Sequence, residues 1–151
     1  DQVGVQADRL LGHLAGDLTR RRAPRTLRTD VVDMRHKMRR ELLKPEEGVF
    51  DLKQDNGGIV DIEFLVQFLV LLHAPRHPAL ADWTDNVRLI QTLITTGVID
   101  EFDAHILKHA YLIYRALAHK LSLQEKAPRV PAGKLQRLRE KVTELWRQHL
   151  D

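Results

Sequence analysis

Apolar residues recur at intervals of three and four along most of the chain, and those intervals predict six helical segments. Over residues 3–21, Ala7, Leu10, Leu11, Leu14 and Leu18 form one stripe, weakened by Gly12 and Gly16. Pro24 ends that helix or starts the next. Residues 26–44 carry the clearest pattern, with Leu27, Val31, Met34, Met38 and Leu42 on one side and Pro45 after the end. Residues 46–58 read as a loop with a short extended piece at 49–52, closed by the turn signal Asp55-Asn56-Gly57-Gly58. Residues 59–73 are apolar on almost every side apart from Asp61, Glu63 and Gln67, which marks a central, buried helix. Pro75 and Pro78 end it, and a loop follows to Trp83. Asp85 or Thr84 caps a short helix through residue 95, with Gly97 at its end. Asp100 opens a long helix to about residue 124, carrying Phe102, Ile106, Ala110, Ile113, Leu117 and Leu121. Residues 125–133, with Pro128 and Pro131, read as a linker, and 134–150 place Leu135, Leu138, Val142, Leu145 and His149 on one seam. The expectation is an all-α bundle of about six helices with a long loop before a buried central helix. It forms one domain over 1–151, with the main bundle in 1–124 and a C-terminal helix in 134–151.

Composition sharpens this picture in a few places. The hydrophobic share is 43% and the aromatic share 5%, so the core is built from Leu, Ile, Val and Ala, which favours helix packing over a sheet core. There is no cysteine, which excludes disulfides, thiolate metal sites and a thiol nucleophile, and accords with a reducing cytoplasm. The longest apolar run, residues 64–72, is interrupted by Gln67 and too short to span a bilayer. The chain opens on Asp1 rather than Met, so a piece of a longer protein is expected. The net charge of +3 hides an uneven distribution. Residues 20–44 hold ten Lys/Arg against Asp30, Asp33 and Glu41. Such a basic segment serves an acidic protein, nucleotide phosphates or nucleic acid, or is an ordinary solvated face. Arg20-Arg21-Arg22 with Arg25 has the charge of a nucleic-acid patch but no interleaved aromatics, so neither nucleic acid nor membrane is expected as a partner.

Two carboxylates entering an apolar helix are costly unless each finds a partner. At about 100° per residue, Asp61 and Glu63 point about 200° apart, so they face different directions and do not make a paired metal site. By the same count Arg28, Arg35 and Arg39 fall within about 40° of one another on the rim of their helix's stripe. Gly57-Gly58 followed by Asp61-x-Glu63 imitates the Gly-Ser and Asp-x-Asp of nucleotidyltransferases, where two carboxylates share one face of a strand and hold Mg²⁺. The apolar run is too long for a strand and lacks a period of two, which argues against that reading. His105 and His109 have the i, i+4 spacing of a metal pair, but no third ligand is indicated, and no metal site is expected.

Phe50-Asp51-Leu52-Lys53-Gln54-Asp55-x-Gly57-Gly58-Ile59-Val60-Asp61-Ile62-Glu63-Phe64-Leu65-Val66-Gln67 resembles the motif in the helical domain of bacterial glutamine synthetase adenylyltransferases. Met34-Arg35-x-Lys37-Met38-Arg39 resembles that family's preceding helix, Trp83-Thr84-Asp85-Asn86-Val87-Arg88 the stretch after the central helix, and Ala110-Tyr111 through Arg115, with His119 and Leu121, the long helix that follows. A related helical domain occurs in the uridylyltransferase acting on the PII signal protein. The resemblance implies a two-half enzyme in which one half attaches AMP from ATP to a tyrosine of glutamine synthetase and the other removes it by phosphorolysis. Asp61-Ile62-Glu63 resembles the adenylylating, C-terminal half, whereas the deadenylylating half carries Arg-Glu-Ile-Glu there. The implied cofactors of the full-length enzyme are ATP and Mg²⁺, and the implied partners are glutamine synthetase, the PII signal protein and an upstream catalytic domain. That domain's Gly-Ser and Asp-x-Asp are not in these residues, so the chain is expected to be non-catalytic alone and to bind no cofactor by itself.

Each candidate then has two readings. Lys53, Asp61 and Glu63 face the active site, or they belong to a buried ion-pair network compensated by Arg35 or Arg39, and the cost of buried charge favours the network. Gly57 and Gly58 permit a tight turn into the central helix, or help bind phosphate at its N-terminus, and the turn is favoured. Arg28, Arg35 and Arg39 form the ion pairs or offer a docking surface to PII or glutamine synthetase. His119 is expected to be packed and hydrogen-bonded rather than a base.

Overall fold

A computed structural model describes residues 23–151. Its described residues form five α-helices, α1 (Pro24–Leu42), α2 (Ile59–His73), α3 (Asn86–Thr95), α4 (Glu101–Leu123) and α5 (Gln136–Leu150). Two short strands, β1 (Val49–Asp51) and β2 (Arg129–Pro131), and two 3₁₀ turns, Pro78–Ala81 and Ala132–Leu135, complete them. The sixth helix expected from sequence, over residues 3–21, lies outside the described residues. None of the described helices is long and apolar enough to cross a membrane.

The architecture follows from α2. With Gln67 its one half-buried polar residue before the last turn, α2 buries nearly every side chain and packs against α1, α3, α4 and α5. Each neighbour turns one stripe toward it. Leu27, Val31 and Met38 come from α1, Leu89, Ile90 and Leu93 from α3, and Ala104, Leu107, Ala110 and Tyr114 from α4. Val142, Leu145 and Leu150 come from α5. Pro24 starts α1 at its first turn, where a missing N–H costs nothing. Asp85 caps α3 by accepting from the amides of Val87 (2.8 Å) and Arg88 (3.3 Å), and Asp100 caps α4 through Asp103. Replacing Asp85 with Ala leaves those amides without their acceptor and is expected to lower stability by about 1 kcal/mol. A thermal melt of the variant checks this.

The segment 125–133, expected to be a plain linker, contains β2. It pairs antiparallel with β1 in the register Val49↔Pro131, Phe50↔Val130 and Asp51↔Arg129. Pro131 sits at the end of the ribbon, where a proline is tolerated because no further ladder donor is required. Leu52 N donates to Pro128 O (2.8 Å) and Ala132 N to Gly48 O (2.9 Å), extending the clamp on both sides. The loop before α2 is thereby tied to the α4–α5 connection. Phe50 is fully buried, edge-on to Tyr114 (5.4 Å), with the Arg139 guanidinium 4.6 Å above its ring.

Candidate functional site

Residues 51–58 form a turn held by its own side chains. Asp51 Oδ1 accepts from the amides of Lys53 and Gln54, both at 2.9 Å, and Asp55 Oδ2 accepts from the Asp51 amide at 2.9 Å. The amides of Gly58, Ile59 and Val60 donate to the carbonyls of Asp55, Leu52 and Lys53, and the Gly57 amide donates to Asp61 Oδ2 at 2.8 Å. The four amides at the entrance of α2 are therefore already given to protein acceptors. That geometry supports the turn for Gly57 and Gly58 rather than a phosphate cradle.

The two carboxylates of α2 face opposite sides, as their spacing requires. Asp61 turns to α1, where its Oδ1 accepts from Arg35 Nε (2.6 Å) and Arg39 Nη2 (3.0 Å). Arg35 also donates from Nη2 to Gln54 O (2.6 Å) and from Nη1 to Gln54 Oε1 (3.3 Å). Burial lowers the pKa of Arg35, and the charge of Asp61 opposes that shift. The expected place of Arg35 on the rim is corrected here. It is fully buried, because one carboxylate and the Gln54 side chain and carbonyl together supply the acceptors that a guanidinium needs in a dry site. Arg28 does not join the cluster. Its Nε donates to His149 O (3.1 Å), and its guanidinium lies 6.0 Å from the Phe68 ring. The three arginines thus form no continuous docking stripe.

Glu63 turns the other way, into an open cleft of about 350 Å³ lined by Lys53, Ile59, Glu63, Arg115, Ala118, His119 and Ser122. Lys53 comes from the turn, Ile59 and Glu63 from α2, and the rest from α4. Burial lowers the pKa of Lys53; the charges of Asp51 and Glu63 oppose this, and Arg115 adds to it. Arg115 Nη1 donates to the Tyr111 hydroxyl (2.9 Å), and that hydrogen bond is the main cause of its raised pKa. The same hydroxyl accepts from Asn86 Nδ2 (3.3 Å), so α3 holds Tyr111 and Tyr111 holds Arg115. His119 is exposed on the cleft wall rather than packed. His105 and His109 are both exposed with stacked rings 6.1 Å apart.

Sequence reasoning does not single out Arg115, Tyr111 or Asn86 as site residues. The signal lies in the i, i+4 spacing Tyr111–Arg115–His119, which puts all three along one side of a helix. A Mg²⁺ ion requires several oxygen ligands. Among the described residues no group of three His, Asp or Glu converges, and Asp61's oxygens are taken by two arginines and an amide. The described residues do not fit that ion.

Residues 28–138 match the family model described as GlnD PII-uridylyltransferase. Similar proteins include the bifunctional glutamine synthetase adenylyltransferase/adenylyl-removing enzyme of Nitrosococcus oceani, 43% identical over 129 residues, or 85% of this chain and 13% of that protein. The enzyme of the same name from Pseudomonas aeruginosa is 42% identical over 143 residues, 87% of this chain and 15% of that protein. That of Methylococcus capsulatus is 39% identical over 150 residues, 99% of this chain and 16% of that protein. The chain thus spans less than a fifth of the length of these relatives. It belongs to the GlnD PII-uridylyltransferase family and, over most of its length, is similar to one segment of the bifunctional glutamine synthetase adenylyltransferase/adenylyl-removing enzymes.

Proposed function

We propose that this chain is the helical domain of the adenylylating half of an enzyme that transfers AMP from ATP to a tyrosine of glutamine synthetase, and that its Glu63 cleft is one wall of the transfer site. The catalytic carboxylates and Mg²⁺ belong to a separate nucleotidyltransferase domain. Residues 1–151 act as one unit beside it, in the cytoplasm, with glutamine synthetase as target and the PII signal protein as regulator. The reading is carried by one observation: Lys53, Glu63, Arg115 and His119 come from three stretches of the chain and line one open cleft. Cations from two separate elements on an open wall are the side-chain types that a site handling charged phosphates uses. The alternative within the family, the helical domain of a PII uridylyltransferase, has less support, because the relatives near 40% identity are adenylyltransferases.

The test is adenylylation of glutamine synthetase by a protein carrying this sequence together with its nucleotidyltransferase domain. Lys53→Ala is expected to lower turnover roughly 10²-fold, the scale for removing one charge-stabilising group from an active site, with the circular dichroism melt unchanged. Full turnover in the folded variant would remove this cleft from the transfer site.

A further inference from the structure

We propose that Asn56 is a modification site: it deamidates by attack of the Gly57 amide nitrogen when the turn before α2 opens, and Asp61 and Arg139 hold that chemistry shut in the folded chain. The sequence supplies the reactants. The chain has two asparagines, Asn56 and Asn86. Asn56 is followed by glycine, which leaves the attacking nitrogen unhindered, whereas Asn86 is followed by the β-branched Val87. In the reaction the Gly57 nitrogen gives up its proton and bonds to Asn56 Cγ. The Cγ–Nδ2 bond breaks, and the side-chain amide leaves with that proton as ammonia. Water then opens the cyclic imide. Cleavage between the nitrogen and Cγ leaves aspartate. Cleavage at the main-chain carbonyl leaves isoaspartate, with the chain running on through the former side chain.

The leaving group already meets water. Asn56 is exposed and lines an open hollow of about 560 Å³ with Gln136, Arg139 and Thr143. The nucleophile is what the fold withholds. Gly57 is buried, and its N–H donates to Asp61 Oδ2 at 2.8 Å. A carboxylate beside that nitrogen disfavours the negative charge that proton loss would put on it. Arg35 and Arg39 hold the other oxygen of Asp61, which keeps the carboxylate a poor base. The main chain is pinned on the other side too. Arg139 Nε donates to Asn56 O (2.7 Å), its guanidinium pairs with Asp55 (3.3 Å), and Gly58 N donates to Asp55 O (3.0 Å). Rotation between Asn56 and Gly57 breaks these contacts, so the reaction draws on the open fraction of the turn. The two products differ in what they do to the fold. Aspartate adds a charge at an exposed position. Isoaspartate lengthens the main chain by a carbon next to Gly57, where even an added Cβ would lie 2.6 Å from Arg139 O. A chain altered in that way does not regain the turn, which makes a long excursion into the unfolded state irreversible.

Incubation of the full chain at mildly alkaline pH, natively and in urea, tests this, with peptide mapping to follow conversion at Asn56. Deamidation is expected to be about 100-fold slower in the native chain, because only the open fraction reacts. Arg139→Met and Asp61→Asn, each held below its melting temperature, are expected to raise the native rate about 10-fold. Arg139→Met leaves the Arg35–Asp61 pair in place and carries the comparison if Asp61→Asn does not fold. Isoaspartate chains separated after the urea incubation are expected not to regain the native melt. Asn56→Asp, which has the charge without the extra carbon, is expected to keep it. Equal rates in the native and urea-unfolded chain, a native rate unchanged in folded Arg139→Met, or isoaspartate chains that melt normally would overturn the inference.

Discussion

Asp61→Ala is expected to destabilise the chain by about 3–5 kcal/mol, the range for breaking a buried ion pair by removing one partner. The loss comes from what remains. Arg35 stays fully buried without its countercharge, the Gly57 amide loses its 2.8 Å acceptor, and Arg39 loses its inward partner at 3.0 Å. Against a typical domain stability of about 5–15 kcal/mol, that leaves the fold marginal. Urea denaturation gives the difference directly. The double variant Arg35→Met/Asp61→Leu is expected to recover a large part of it, because an apolar pair of similar volume avoids the desolvation of both charges. A double variant no more stable than Asp61→Ala would mean that the Arg35 hydrogen bonds to Gln54 matter more than the ion pair.

Gly57→Ala carries the second large effect, expected at about 3 kcal/mol or more from a left-handed backbone and an overpacked contact acting together. Gly57 has φ +77°, and a Cβ there would lie 2.6 Å from the carbonyl oxygen of Arg139 and 2.8 Å from Thr143 Oγ1. The first of these is backbone of α5 and has little freedom to withdraw. Arg139 is itself anchored, donating from Nε to Asn56 O at 2.7 Å and pairing with Asp55 at 3.3 Å. The turn and α5 therefore meet as closely as two backbones can, and only glycine fits between them. Gly97 is the control, with φ +76° and no atom within 4 Å of where an added Cβ would lie. Gly97→Ala is expected to cost only the backbone share, and urea denaturation of the two variants separates strain from steric overlap. Equal losses would place the whole effect in the backbone angle.

Much of the fold is legible along the chain because its signals are local. The bounds of α2 follow from a mostly apolar segment between Gly58 and Pro75, and the caps at Asp85 and Asp100 from their residue types. The opposed directions of Asp61 and Glu63 follow from helical geometry alone. What is not legible depends on partners far away in sequence. Arg35 reads as a rim residue because arginine is almost never fully buried unless paired, and its partner Asp61 stands 26 residues on. Arg28 shares its helix face, yet it goes to His149 O, 121 residues away. Strand β2 is three residues long and lies among prolines, with no pattern of its own until Phe50 and its neighbours pair with it. The cleft is the largest example. Lys53 and Glu63 stand out along the chain but Arg115 does not, and only the packing of α4 on α2 brings the three to one cleft.

The division of labour between the two α2 carboxylates is most directly tested by measuring melting temperature and turnover together for Asp61→Asn and Glu63→Gln. Both variants are made in a protein that joins this sequence to its nucleotidyltransferase domain. The structure predicts that Asp61→Asn lowers the melting temperature by several degrees. Glu63→Gln is predicted to keep the melting temperature and lose adenylylation of glutamine synthetase. A Glu63→Gln protein that melts early and turns over normally, for its folded fraction, would contradict the assignment of the Glu63 face to the transfer site.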